Sequence, residues 1–203
     1  MLEPHARRAG RRTAPPCRRS PRALAALGLA AALLLPTAAL AAETAAAREQ
    51  ARLCERLSGE PAVAACRSAL ALGIGPARRG PVRELLGRQL VALERWDELA
   101  ELFRDAVRQD PADAVAWQRL GAALLFALDA PAEALAALQE AVRLAPRDAA
   151  ARVTLGLALA ANGRPPEAAA ALEEALRLDA SALDGRPAAR AVLDAARQGR
   201  AWP

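Results

Sequence analysis

An all-α array of antiparallel helix hairpins is the fold class that this sequence predicts, on three observations. A Leu-Gly pair returns at Leu86-Gly87, Leu120-Gly121 and Leu155-Gly156, and Ala106, Ala141 and Ala175 follow the glycines after 19, 20 and 19 residues. Self-similarity at a period of 34 or 35 residues marks a stack of supersecondary units that bury their apolar faces on one another. The composition is 54% hydrophobic but contains only two Phe, three Trp and no Tyr. That richness in Ala and Leu favours helices over strands, which draw on β-branched and aromatic side chains. Helix punctuation agrees: Pro111 and Pro146, 35 residues apart, stop helices, and Asn162-Gly163 before Pro165-Pro166 supplies a turn between two helices.

The first element is a leader at residues 1–41. Arginines fill residues 1–22, an uncharged apolar run follows at 23–35, and Ala39-Leu40-Ala41 offers a small-x-small cleavage site. This is the three-part layout of a secretory signal peptide, cleaved after Ala41 or Ala42. The alternative is an uncleaved anchor at 23–42, a charge-free stretch long enough for one membrane span. Pro36 and the high alanine content count against it. The formal charge of +5 belongs to this leader, because without residues 1–41 it becomes −1. Nucleic acid is therefore not an expected partner, since phosphate binding needs clustered positive charge.

Residues 43–79 form a degenerate hairpin: one helix to about Leu57, a turn at Ser58-Gly59-Glu60-Pro61, and a second helix to about Leu72. A looser joint follows at Gly73, Gly75, Pro76 and Gly80. Cys54 and Cys66 face two readings. In an exported chain they pair across the hairpin; otherwise they are two small buried apolar residues.

Three full hairpins occupy 80–113, 114–148 and 149–182. Leu120, Leu124 and Leu128 share one helical face, and Gly121 removes a side chain where the neighbouring helix must approach. Ala134, Leu138 and Ala141 recur at helical spacing on the opposing helix. The additional residue of the 35-residue spacing falls near Leu128-Asp129-Ala130-Pro131. Residues 183–203 close the array with a capping helix from Arg186 or Pro187 to Gln198, then a tail bearing Trp202.

Little chemistry can be assembled from this inventory. The one histidine, His5, lies in the leader, and the chain has neither lysine nor tyrosine. The commonest general base, any Schiff-base amine and any phenol are thus missing from the mature chain. Asp97-Glu98 and Glu173-Glu174 are adjacent on helices, so their carboxylates diverge and read as solvated surface. Two cysteines without histidine make no metal site, and Gly73-x-Gly75 is no phosphate loop. No enzymatic activity, metal or cofactor is expected.

The hairpin Trp117-x-x-Leu120-Gly121-x-x-Leu124, Ala134-x-x-x-Leu138-x-x-Ala141, Pro146 resembles the tetratricopeptide repeat. The preceding hairpin departs from it with Arg83 in place of tryptophan and Leu99 in place of alanine, and the following one with Arg152 and Ala180. The resemblance covers residues 80 to about 182 and implies a right-handed superhelical solenoid. It also implies that the first helices line a groove for an extended peptide or a partner helix. By that resemblance the groove comprises Glu84, Arg88, Val91, Gln118, Ala122, Leu125, Phe126, Val153, Leu157 and Ala160. Leu125, Phe126, Val153 and Leu157 suit an apolar segment. The alternative is that such residues pack between repeats or under the end helix.

These expectations combine into an exported adaptor that binds a protein or peptide partner. The rival is a structural protein that self-associates through an end helix or Trp202. The lysine-free, Ala/Arg/Leu/Gly-rich composition looks like a GC-rich coding bias. With the leader, it points to a bacterial periplasm or envelope, and to membrane contact only if the leader stays attached.

Overall fold

The computed structural model describes residues 43–198 and residue 200. The predicted leader, its alternative as an anchor, and Trp202 lie outside the described residues. Among the described residues there are nine helices and no strand: α1 (Ala45–Arg56), α2 (Glu60–Ala71), α3 (Pro76–Ala92), α4 (Trp96–Gln109), α5 (Ala114–Phe126), α6 (Pro131–Leu144), α7 (Ala149–Ala161), α8 (Pro165–Leu178) and α9 (Pro187–Arg197). Consecutive helices pair as α1/α2, α3/α4, α5/α6 and α7/α8, and α9 packs on both helices of the last pair. The chain is an all-α helical repeat solenoid closed by a capping helix.

Most of the helices start at a side-chain cap or a proline. The side chains of Thr44, Asp113 and Asp148 accept hydrogen bonds from the N–H groups of Ala47, Ala116 and Ala151 at 3.0, 2.9 and 3.1 Å. Pro76, Pro131, Pro165 and Pro187 each occupy the first position of a helix, where a missing N–H costs nothing. The joint predicted through Gly80 is shorter than expected. Helix α3 begins at Pro76 and runs through Gly80 and Pro81. Pro76 presets the helical φ, and Pro81, inside the helix, lacks the amide that would have bonded the Ala77 carbonyl and sets its ring against that carbonyl.

The two helices of each repeat are joined by a turn with one left-handed residue: Glu94 (φ 56°), Asp129 (φ 47°) and Gly163 (φ 70°). Closing hydrogen bonds run from Arg95 N–H to Leu90 O and from Arg164 N–H to Leu159 O, five residues apart, but from Ala130 N–H to Leu124 O, six apart. The extra residue of the third hairpin therefore sits at the end of α5, at or just before its predicted place.

Arginine at the tryptophan position has a physical account. Trp117 donates its indole N–H to the Pro111 carbonyl at 3.0 Å. Arg152, one repeat later, donates Nε and Nη2 to the Pro146 carbonyl at 3.1 and 2.7 Å. A guanidinium thus reproduces the indole's bond to the residue six positions upstream. Arg83 does something else: it is nearly buried and pairs with Asp113 at 3.3 Å, the residue that caps α5. Burial lowers its pKa and the Asp113 carboxylate opposes that shift.

The core runs along the hairpin interfaces and consists largely of alanine and leucine. One cluster spans α1 to α6 and reaches Ala158 of α7, and a second joins α7 and α8 to Leu183, Ala189, Val192 and Leu193 of the cap. Where the first hairpin lacks a Leu-Gly pair, Cys54 and Cys66 stand bonded, with a Cα–Cα distance of 4.8 Å that lies within the disulfide range. Polar side chains also tie repeats together. Gln89 Oε1 accepts from Gly59 N–H at 2.8 Å, and Asn162 Nδ2 donates to Pro131 O at 2.7 Å.

A candidate interaction groove between the second and third hairpins

The helix pairs are not equally close, and the difference begins with two side chains. At Gly121 a Cβ would lie 2.5 Å from Leu138 Cγ and 3.2 Å from the Ala134 carbonyl oxygen; at Gly156, 2.7 Å from Leu172 Cγ and 3.2 Å from the Ala168 oxygen. At Gly87 the nearest atoms are the Phe103 ring at 3.4 Å and Leu99 Cδ1 at 3.5 Å. Leu99 and Phe103 stand where the other repeats have alanine (Ala134, Ala168) and leucine (Leu138, Leu172). Their added bulk stands between α3 and α4, so backbone no longer approaches backbone.

The layer of first helices opens at the same place. Helices α1 and α3 touch, as do α5 and α7 and then α7 and α9, but α3 and α5 make no comparable contact. Between them lies a groove of about 740 Å³. Glu84, Gly87, Arg88, Val91 and Ala92 of α3 form one wall, and Arg119, Ala122, Ala123 and Phe126 of α5 form the other. Leu99 and Phe103 of α4, with Trp96, make the floor. Val91 is 44% and Phe126 65% exposed, the latter the most exposed large apolar side chain among the described residues. One ion pair spans the gap: Arg119 Nε donates to both oxygens of Glu84 at 3.0 Å.

Of the predicted groove residues, the structure gathers Glu84, Arg88, Val91, Ala122 and Phe126 around this opening. It does not bring the others there. Val153 is 1% exposed and Ala160 6%, both in the cluster that the cap completes, so neither offers a surface to a partner. Leu157 is half-buried against that cluster, and Leu125 is half-buried against the first. Gln118 is half-buried on α5 and lies outside the groove lining. For Val153, Leu157 and Ala160 the physical reason is coverage: α9 folds against α7 and turns the last first-helix face into core. Sequence reasoning missed Arg119, Trp96 and Phe103 as lining. Arg119 follows Glu84 by one repeat period, which is a usable signal for a pair bridging neighbouring first helices.

A second cavity, of about 490 Å³, is bounded by α2, α3 and α4 and carries Arg67, Arg83, Glu98, Glu101 and Asp105. Its acids are engaged. Glu98 accepts from Arg95 at 2.6 and 2.7 Å and also from Arg67, and these bonds hold its carboxyl down at about 2. Arg108 bonds both Glu101 and Asp105 and lowers the Glu101 carboxyl. The carboxyls with a resolved shift among the described residues (Glu98, Glu101, Glu140, Glu167 and Asp179) are all lowered. A general acid at neutral pH needs the opposite shift. Among the described residues no cluster of His, Cys, Asp and Glu suits a metal ion, and no helix is long and apolar enough to cross a membrane.

Comparison with known proteins agrees with this architecture. The tetratricopeptide repeat family model matches residues 81–123, the segment that carries most of the groove. No curated protein matches the chain in sequence. Among solved structures, MamA (residues 41 to the end) from Desulfovibrio magneticus RS-1 is similar with a TM-score of 0.59 at 20% identity, over 77% of this chain and 94% of that one. TTC0263, a thermophilic TPR protein of Thermus thermophilus, is similar with a TM-score of 0.54 at 21% identity, over 76% and 82%. YrrB, described as a TPR protein with an unusual peptide-binding site, is similar with a TM-score of 0.50 at 26% identity, over 74% and 79%. These likenesses establish the fold.

Proposed function

We propose that this chain is an exported, non-enzymatic scaffold that holds a peptide or helix of a partner protein in the groove between α3 and α5. The observation that carries the reading is the exposed pair Val91 and Phe126 on facing walls of an opening in the first-helix layer. Large apolar side chains left in water beside a concave surface are what a partner would cover. YrrB, similar in fold, is described as having a peptide-binding site, which supports the mode without identifying the partner. Lowered carboxyls and the lack of histidine outside the leader favour binding over chemistry.

Export rests on the three-part leader. Cleavage after Ala41 or Ala42 would leave the Thr44 cap of α1 intact. It would also send Cys54 and Cys66 to a compartment where a disulfide persists. A bacterial periplasm or envelope fits that leader and the composition. Self-association through an array end has less to work with, because the outer faces of α1 (Arg48, Glu49, Arg52, Glu55) and α9 (Arg190, Asp194, Arg197) are charged and exposed.

The test replaces Phe126 in the full chain with a photo-cross-linking phenylalanine analogue in the source organism. One protein should be cross-linked, and Val91→Asp should abolish it. Because both side chains are substantially exposed, Val91→Asp/Phe126→Asp should keep its stability within about 0.5 kcal/mol of the parent. A cross-link that survives Val91→Asp removes the groove from the reading. N-terminal sequencing of the mature chain decides cleavage: a start at Met1 would refute it.

A further inference from the structure

Resting on the groove reading above, we infer the chemistry of the occupant: an amphipathic helix that sets a carboxylate against Arg88 and, one turn away, a large apolar side chain between Val91 and Phe126. The groove carries three charged side chains, Glu84, Arg88 and Arg119. Two cancel, since both oxygens of Glu84 accept from Arg119 at 3.0 Å. Arg88 is exposed and makes no hydrogen bond or ion pair among the described residues. Glu84 is the one acid within a turn of it on α3, and Glu84 is taken. The groove therefore presents one uncompensated positive charge beside an apolar wall.

A partner that covers the wall must also cover or skirt that guanidinium. An uncharged apolar helix would strip water from Arg88 and return nothing, while a basic one would be repelled. A carboxylate answers both problems and can bind the guanidinium fork through two oxygens. Spacing fixes its place. Arg88 and Val91 are three residues apart on α3, neighbours on one face. The matching carboxylate and apolar anchor on the partner should likewise lie three or four residues apart. The anchor's seat is the widened floor over Phe103, where Leu99 and Phe103 hold the hairpin open.

A random peptide library displayed on phage, selected against the full chain and counter-selected against Val91→Asp/Phe126→Asp, tests this. Selected sequences should be enriched in Asp or Glu three or four residues from Leu, Ile, Phe or Trp. Against Arg88→Glu the acidic position should turn to Lys or Arg, and a peptide selected on the parent should lose about tenfold in affinity. Arg88→Gln, which removes the charge without reversing it, should give an intermediate loss. Peptides that depend on Phe126 yet ignore both Arg88 variants would overturn the acidic occupant and leave the groove standing. If no selected peptide depends on Val91 and Phe126, the groove reading itself fails and the inference goes with it.

Discussion

Replacing Gly121 with alanine should destabilise the protein, while the same change at Gly87, the corresponding position one repeat earlier, should stabilise it. At Gly121 the new Cβ would lie 2.5 Å from Leu138 Cγ, 3.0 Å from Leu138 Cδ2 and 3.2 Å from the Ala134 carbonyl oxygen. Carbon atoms pack best at about 3.5–4.0 Å, so roughly 1 Å of overlap must be relieved. Leu138 is fully buried and the other obstacle is backbone, so α5 and α6 must part. Overpacking of this kind costs about 1–3 kcal/mol, and the backbone obstacle places it near the upper end. Alanine returns about 1 kcal/mol of helix propensity, leaving a net loss of about 2 kcal/mol. At Gly87 the nearest atoms stand at 3.4 and 3.5 Å, close to ordinary contact, so most of the propensity gain survives. The two variants should therefore differ by about 3 kcal/mol, or roughly 6–12 °C in Tm for a domain of this size. Urea unfolding of the full chain followed by circular dichroism measures the difference. Adding Leu138→Ala to Gly121→Ala removes the obstructing Cγ, so the two losses should sum to more than the double variant's. If Gly87→Ala destabilises as much as Gly121→Ala, the second hairpin is as closely packed as the third, and the account of the groove is wrong.

Other perturbations address the staple and the charges. Cys54→Ala/Cys66→Ala, which opens a loop of sequence separation 12, should cost about 3 kcal/mol on the chain-entropy relation. Mass spectrometry of the unfolded, unreduced protein should find neither cysteine alkylated; labelling of both would show that the bond is absent. Glu98, held at about 2 by Arg95 and Arg67, contributes stability that is fully present above its unfolded pKa of roughly 4.3 and is lost as pH falls through about 2. Glu98→Gln should flatten the acid limb of Tm against pH over that window, and an unchanged limb would mean that the ion pairs do not persist in solution.

The repeat period made the stack legible, because Leu-Gly and the later alanine recur in the three hairpins from residue 80 on. Arg152 reads as a departure on one line of sequence and as a replacement once its bond to the Pro146 carbonyl is seen. The groove was half legible. Glu84, Arg88, Val91 and Phe126 follow from the resemblance to the tetratricopeptide repeat, which implies that the first helices line the groove. The loss of Val153 depends on where α9 folds, which no spacing within α7 records. Leu99 was visible as a departure from alanine, but its consequence, a widened floor shared with Phe103, belongs to two helices at once. The same limit hid Phe103 and Arg119, whose roles come from neighbours in space.

The charge on both end helices has a consequence for how the protein would fill with partner. If the charge that α1 and α9 show to water keeps one array from stacking on another, each chain would offer the proposed groove singly, whatever its concentration. Occupancy would then follow a simple hyperbola set by a single Kd, without the threshold or sigmoid that pairing or filament growth would impose. The number of partners held would scale linearly with copies of the chain, and expression level alone would act as the control.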